Sequence, residues 1–165
     1  MKISVDAIKE LREKTGASIS DVRSALAEAH GDEAKAADVL KRKGFEAARK
    51  RASRAASAGR IESYVHHDGR MGAIVEINCE TDFVARLPEF QQFCRDVAMQ
   101  VASQRPQTVS AEGASKDGAL LEQPFIKDQG QTINQLLTAL IAKTGENIVV
   151  RRFAQFGLGE SVSGS

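Results

Sequence analysis

The chain has 165 residues, 42% hydrophobic and 27% charged, with a formal net charge of +1. This length accommodates one domain, or one domain with a small satellite, and the balanced charge creates no field that demands nucleic acid or a membrane surface. No apolar run reaches the ~18 residues of a membrane-spanning helix, a polar helix pattern rather than a secretory leader follows Met1, and two cysteines, Cys79 and Cys94, do not make a disulfide framework. A cytoplasmic protein is expected.

Ser4 is placed to cap a helix carrying Val5, Ile8 and Leu11, and Gly16 in the break TGAS suits its left-handed end. Ser18 caps a second helix, with Asp21 completing a capping box in its weaker aspartate form; Ile19, Val22, Leu26 and Ala29 recur at helical spacing. After Gly31, Asp32 caps a third helix that carries Ala36, Val39 and Leu40 and is expected to stop at Gly44. Residues 1–44 therefore read as a three-helix bundle with a small core. Residues 45–58 are rich in Ala and Arg, lack an apolar stripe, and read as an exposed basic helix or linker between domains. Lys41, Arg42, Lys43, Arg49, Lys50, Arg51 and Arg54 form the one basic block.

The apolar period then changes to two. Ile61 and Val65 belong to one strand and Ala73, Val75, Ile77 and Cys79 to the next, with the hairpin signal HDG (67–69) between them. Pro88 suits the first turn of a helix carrying Phe90, Phe93, Val97 and Val101, which lies most simply against the hairpin and ends before Pro106. Residues 107–118 are a polar loop, and Pro124 demotes the run LLEQPFI (120–126) to an edge strand or irregular segment. Thr132 caps a helix with Ile133, Leu136, Leu137, Leu140 and Ile141, closed by Lys143 and Gly145. Residues 147–156 form a closing strand, and 158–165 read as a disordered tail. The fold class is α+β: a helical bundle at 1–44, a basic linker at 45–58, and an antiparallel sheet with helices at 59–157.

Catalytic chemistry finds little support. His66 and His67 are neighbours in a strand and should point to opposite faces, so they do not share a metal; no metal site is expected. Cys79 and Cys94 sit on apolar faces and read as buried structural thiols. No phosphate-loop, dinucleotide, nucleophile-elbow or zinc-protease motif occurs, so neither an enzyme nor a cofactor is expected. The basic block holds Phe45 and is interrupted by Glu46, which fits a solvated helix face better than RNA contact.

The sharpest feature is TDFV, Thr81, Asp82, Phe83 and Val84, at the corner where strand period gives way to helix period. One reading makes Thr81 or Asp82 a helix cap and Phe83 a hydrophobic staple onto Phe90 or its neighbours. The other makes Phe83 an aromatic wedge and Asp82 a charge, both presented to a partner.

The segments IKELREKTGASISDVRSAL (8–26), VEINCETDFVAR (75–86) and KTGENIVVRRF (143–153) together resemble the elongation factor Ts family over nearly the whole chain. The resemblance implies a first domain like a ubiquitin-associated domain and a second like that family's dimerisation domain. It implies a guanine-nucleotide exchange factor for the translation GTPase elongation factor Tu. Phe83, with Asp82 beside it, would enter the GTPase domain near its magnesium site. Arg12, Ile19, Ser20 and Arg23 fall on the family's contact surface for another helix of that domain, and the C-terminal core would meet a separate β domain. Ile19 and Ser20 stand where family members commonly carry two methionines, so the apolar contact there should be smaller. The chain also runs from VSAEGASKDG (109–118) directly to LLEQPF (120–125), without room for a second subdomain or a helical hairpin. A homodimer that rebuilds the full core is expected, with no direct nucleic-acid contact. An RNA-binding module using 41–54 and an adaptor for ubiquitin-like partners using 4–43 remain as rivals, and neither accounts for NCETDFVAR.

Overall fold

A computed structural model describes residues 3–111 and 118–161. The helices are α1 (Val5–Thr15), α2 (Ile19–Glu28), α3 (Glu33–Arg51), α4 (Asp82–Ala85), α5 (Pro88–Gln104) and α6 (Ile133–Thr144). The strands are β1 (Ala58–Val65), β2 (Met71–Cys79), β3 (Pro124–Phe125), β4 (Asp128–Thr132) and β5 (Ile148–Gly157). This is a mixed α+β fold, as expected. Contacts divide the chain into two compact units, residues 1–54 with 137–147, and 55–136 with 148–165.

In the first unit each helix begins on the residue its sequence nominates. Ser4 Oγ accepts from the Ala7 amide at 3.0 Å, Ser18 Oγ from Asp21 at 3.1 Å, and Asp32 Oδ1 from Lys35 at 3.0 Å. Gly16 closes α1 with φ +67°, the left-handed conformation that glycine adopts without strain. Leu11, Val22, Ala25, Leu26, Ala36 and Val39 form the core. The third helix does not stop at Gly44. It continues to Arg51 because Phe45–Arg51 is made largely of good helix formers and Arg49, Lys50 and Arg51 complement the helix C-terminus. Gly44 itself is buried, and a side-chain carbon there would lie 3.8 Å from the Thr138 carbonyl. The end of α3 is tied to the turn after α6: Arg51 Nε donates to the Gly145 carbonyl at 2.9 Å and Asn147 Nδ2 to the Arg54 carbonyl at 2.7 Å.

In the second unit β1, β2 and β5 form an antiparallel sheet in the order β1-β2-β5. Helix α5 covers one face, burying Phe90, Phe93, Cys94, Val97 and Val101 over a sheet face that carries Ala73, Val75, Ile77 and Cys79. Ile61 and Val65 are not on that face. The β1 residues on the covered side are Arg60, Glu62 and Tyr64, and Ile61 is 67% exposed on the other side. The run at 120–126 contributes a 3-10 turn and the two-residue β3, whose partner β4 is polar and was not expected from the sequence. Gln100, fully buried in α5, holds this hairpin: Nε2 donates to the Pro124 carbonyl and Oε1 accepts from the Ile126 amide, both at 3.0 Å. Thr132 and Gln135 cap α6 reciprocally. The start of the expected tail is ordered, since the Leu158 amide donates to the Arg70 carbonyl and Glu160 bonds Arg105 and the Gly157 amide. Residues 162–165, and 112–117 of the polar loop, lie outside the described residues.

Candidate partner-binding surfaces

The strand-to-helix corner follows from local chemistry. Chain direction changes as β2 ends at Cys79, whose thiol is buried and donates to the Thr81 carbonyl at 3.2 Å. Thr81, extended at φ −130°, ψ 154°, starts α4, and its hydroxyl accepts a long 3.4 Å bond from the Val84 amide. Leu87 and Pro88 then start α5, so a single helical turn stands between strand and helix. Val84 and Ala85 are buried, and α4 packs against β1, β2 and α5. Phe83 points away and is 75% exposed, so it staples nothing. Asp82 is exposed beside it. The motif thus divides: Thr81 caps, Val84 anchors, and Asp82 and Phe83 face solvent.

Arg12, Ile19, Ser20 and Arg23 are all exposed in the first unit. Three of them, Arg12, Ile19 and Arg23, line an open groove of ≈ 730 Å³ together with Ile3, Val5 and Ile8; Ser20 lies outside it. Its lining combines four apolar side chains, Ile3, Val5, Ile8 and Ile19, with three cationic ones, Lys9, Arg12 and Arg23, a form suited to an amphipathic helix.

The sheet face that α5 leaves open is a third surface. Pairing places Val65, Gly72 and Phe156 in one row across the strands, Ser63, Ile74 and Ala154 in the next, and Ile61, Glu76 and Arg152 in the third. The row nearest the hairpin tip is apolar. In the third row Arg152 Nε donates to Glu76 Oε2 at 2.6 Å, which holds the Glu76 carboxyl below its ordinary range.

The remaining groups behave as packing or surface. Cys94 is buried, and that burial pushes its thiol up to about 12, far from a nucleophile's range. His66 and His67 do not point apart as their spacing suggested. β1 ends at Val65, the turn brings the two rings to 4.2 Å between centroids, and Tyr64 Oη lies 2.8 Å from His66 Nδ1. Among the described residues no group of three or more His, Cys, Asp or Glu side chains could hold a metal ion. In the basic block Arg42 and Lys43 are engaged with Glu28, and Arg51 with backbone carbonyls. No helix among the described residues is long and apolar enough to cross a membrane.

Comparison with known proteins finds relatives along nearly the whole chain. The sequence model of the family described as Elongation factor TS matches residues 4–118 and 80–165. The chain is similar to the elongation factor Ts of Caldanaerobacter subterraneus subsp. tengcongensis, with 41% identity over 197 aligned positions covering 97% of this chain and 98% of the relative. It is also similar to the elongation factor Ts of Carboxydothermus hydrogenoformans, at 42% identity over 98% of this chain and 91% of the relative. It is similar as well to that of Rubrobacter xylanophilus, at 40% identity over 96% of this chain and the whole of the relative. These alignments are longer than the chain, so the relatives carry residues with no counterpart here.

Proposed function

The chain belongs to the elongation factor Ts family of translation elongation factors, and from that premise we propose that it is the guanine-nucleotide exchange factor of elongation factor Tu. The observation that carries this reading is Phe83, a large apolar side chain 75% exposed on a short, capped and anchored turn. Such a residue raises the free energy of the isolated protein's surface and lowers that of a complex that supplies its pocket.

In this reading Phe83 wedges into the GTPase domain near its magnesium site with Asp82 beside it. The groove that includes Arg12, Ile19 and Arg23, together with the exposed Ser20 next to Ile19 in the chain, docks a helix of the same domain, and the second unit meets the partner's β domain. A second copy of this chain covers the open sheet face. Exchange needs no bond to be made or broken, so no catalytic group or cofactor is required and the protein is not an enzyme. It works where translation takes place, in the cytoplasm.

The energetics rest on linkage. Whatever factor the protein loses in affinity when nucleotide binds its partner, nucleotide loses when the protein binds. A thousandfold effect corresponds to a coupling of about 4 kcal/mol, within reach of one buried aromatic anchor and a disturbed metal ligand. The test is release of a fluorescent GDP analogue from elongation factor Tu. Wild type should accelerate release, and Phe83→Ala should lose most of that acceleration. A wild-type protein that leaves release at its spontaneous rate would sink the proposal.

A further inference from the structure

We infer that Arg86 is a third contact of this corner, a specificity-determining residue that meets a carboxylate on the partner beside the pocket taking Phe83. The inference rests on the exchange-factor reading and extends it.

Arg86 is the C-terminal cap of α4 and keeps right-handed helical geometry at φ −92°, ψ −9°. Its amide donates to the Phe83 carbonyl at 3.3 Å, so the guanidinium is rooted one turn from the aromatic ring on a rigid backbone. Residues three and four apart in a helix share a face, which puts Asp82, Phe83 and Arg86 together. All three are exposed. Asp82 and Arg86 also have the charge signs, spacing and order that favour an ion pair within a helix. Glu10 and Lys14 form such a pair at 2.7 Å with the same spacing and order. Asp82 and Arg86 do not: neither side chain has an ion pair or hydrogen bond among the described residues. Complementing the helix dipole explains little here, because α4 is one turn of four residues. An exposed aromatic flanked by an unpaired carboxylate and an unpaired guanidinium is what a mixed apolar and charged interface requires, since arginine and aromatic side chains dominate interface energies.

A guanidinium fork fits a carboxylate or a phosphate. An exchange factor binds most tightly to the partner without nucleotide, where no nucleotide phosphate is present, so the group Arg86 meets is a carboxylate of the partner protein.

The test is the affinity of the full chain for nucleotide-free elongation factor Tu at low and high salt, for wild type, Arg86→Gln, Arg86→Lys and Arg86→Glu. Loss of a desolvated charge contact should weaken binding about tenfold in Arg86→Gln and about a hundredfold in Arg86→Glu. Arg86→Lys should restore part of the loss, the salt dependence should flatten in Arg86→Gln, and melting temperature should not move. Arg86→Glu binding like wild type at low salt, while Phe83→Ala loses affinity, overturns this inference alone. Weakening confined to the GDP-bound partner overturns the carboxylate and points to phosphate. A wild type that does not bind overturns the exchange-factor reading and this inference with it.

Discussion

Phe83 and Val84 are adjacent in the chain and opposite in environment, the first 75% exposed and the second 3%. The single turn of α4 thus directs one neighbour to solvent and the other into the core. Substituting each by alanine should divide the two effects. Val84→Ala leaves a cavity under α4 and should cost roughly 2 kcal/mol of stability. Phe83→Ala removes no buried contact and should change stability by less than about 0.5 kcal/mol while removing exchange activity. Denaturant melts paired with GDP release measure both. Equal destabilisation by the two variants would show that Phe83 is packed in solution.

Gly59 in β1 holds φ at +142°, and a side-chain carbon built there would lie 2.2 Å from the Ile77 carbonyl oxygen. The obstacle is the backbone of the neighbouring strand, which has no rotamer to yield. Gly59→Ala should therefore force β1 and β2 apart near the end that feeds the Thr81 corner, at a cost of about 3 kcal/mol or more from strain and lost pairing. Thermal melting followed by circular dichroism should show the loss. An unchanged midpoint would mean that β1 can shift its register at that end.

Legibility in the sequence followed the range of the forces involved. Caps involve neighbouring residues, so Ser4, Ser18, Asp32 and Thr132 could be read directly and each occupies its place. Alternation located β1 and β2, but it does not say which side another element will cover. Ile61 and Val65 were therefore legible as a strand and not as its open face. Gly44 looked like a stop because glycine weakens helices, yet a single glycine costs only about 1 kcal/mol and the helix formers on both sides of it carry α3 through to Arg51. The four residues before Thr132 carry no apolar signal, and pairing with Pro124 and Phe125 makes them part of β4. At the corner, Phe83 was conspicuous from its neighbours alone. Its exposure depends on what Val84 and Ala85 bury, and that requires the fold. Arg86 closes the segment NCETDFVAR, but nothing in the sequence set it apart there, because a free guanidinium is recognised by the partners it lacks in the fold.

Glu76 accepts from Arg152 across β2 and β5, with Arg151 at 3.9 Å. Its carboxyl is held below the ordinary value of 4.5, chiefly by the bond from Arg152. A carboxyl lowered in the folded state contributes stability that is fully present above its unfolded value and is lost as pH falls through the folded value. The charge interaction should thus be intact at neutral pH and fade below about 4.5. Glu76→Gln should be slightly less stable at pH 7 and should lose less stability on acidification than wild type. The difference between the two melting-temperature profiles isolates Glu76 from the other carboxyls. Parallel profiles across the acid range would show that the pair contributes nothing to folding.

The open sheet face supports a last prediction, on assembly. Ile61, Val65, Ile74 and Phe156 are exposed together on the side of β1, β2 and β5 that α5 does not cover. Apolar surface arranged in rows is seldom left to water, and a two-fold partner presenting the same rows would bury it symmetrically. Ile74 lies in the middle row, between Ser63 and Ala154, where a charge cannot reach solvent once a second sheet is stacked on it. Ile74→Glu should therefore convert a dimer to a monomer, measured by light scattering on a sizing column, with the far-ultraviolet spectrum unchanged because the residue is already exposed in one copy. Arg152→Ala, at the charged end of the face, should weaken the dimer less, since its ion pair with Glu76 is made within the chain. A wild type that elutes and scatters as a monomer at micromolar concentration, or an Ile74→Glu variant that stays dimeric, would remove the sheet face as the interface and leave the strand edges of β1 and β5 as the next surfaces to block.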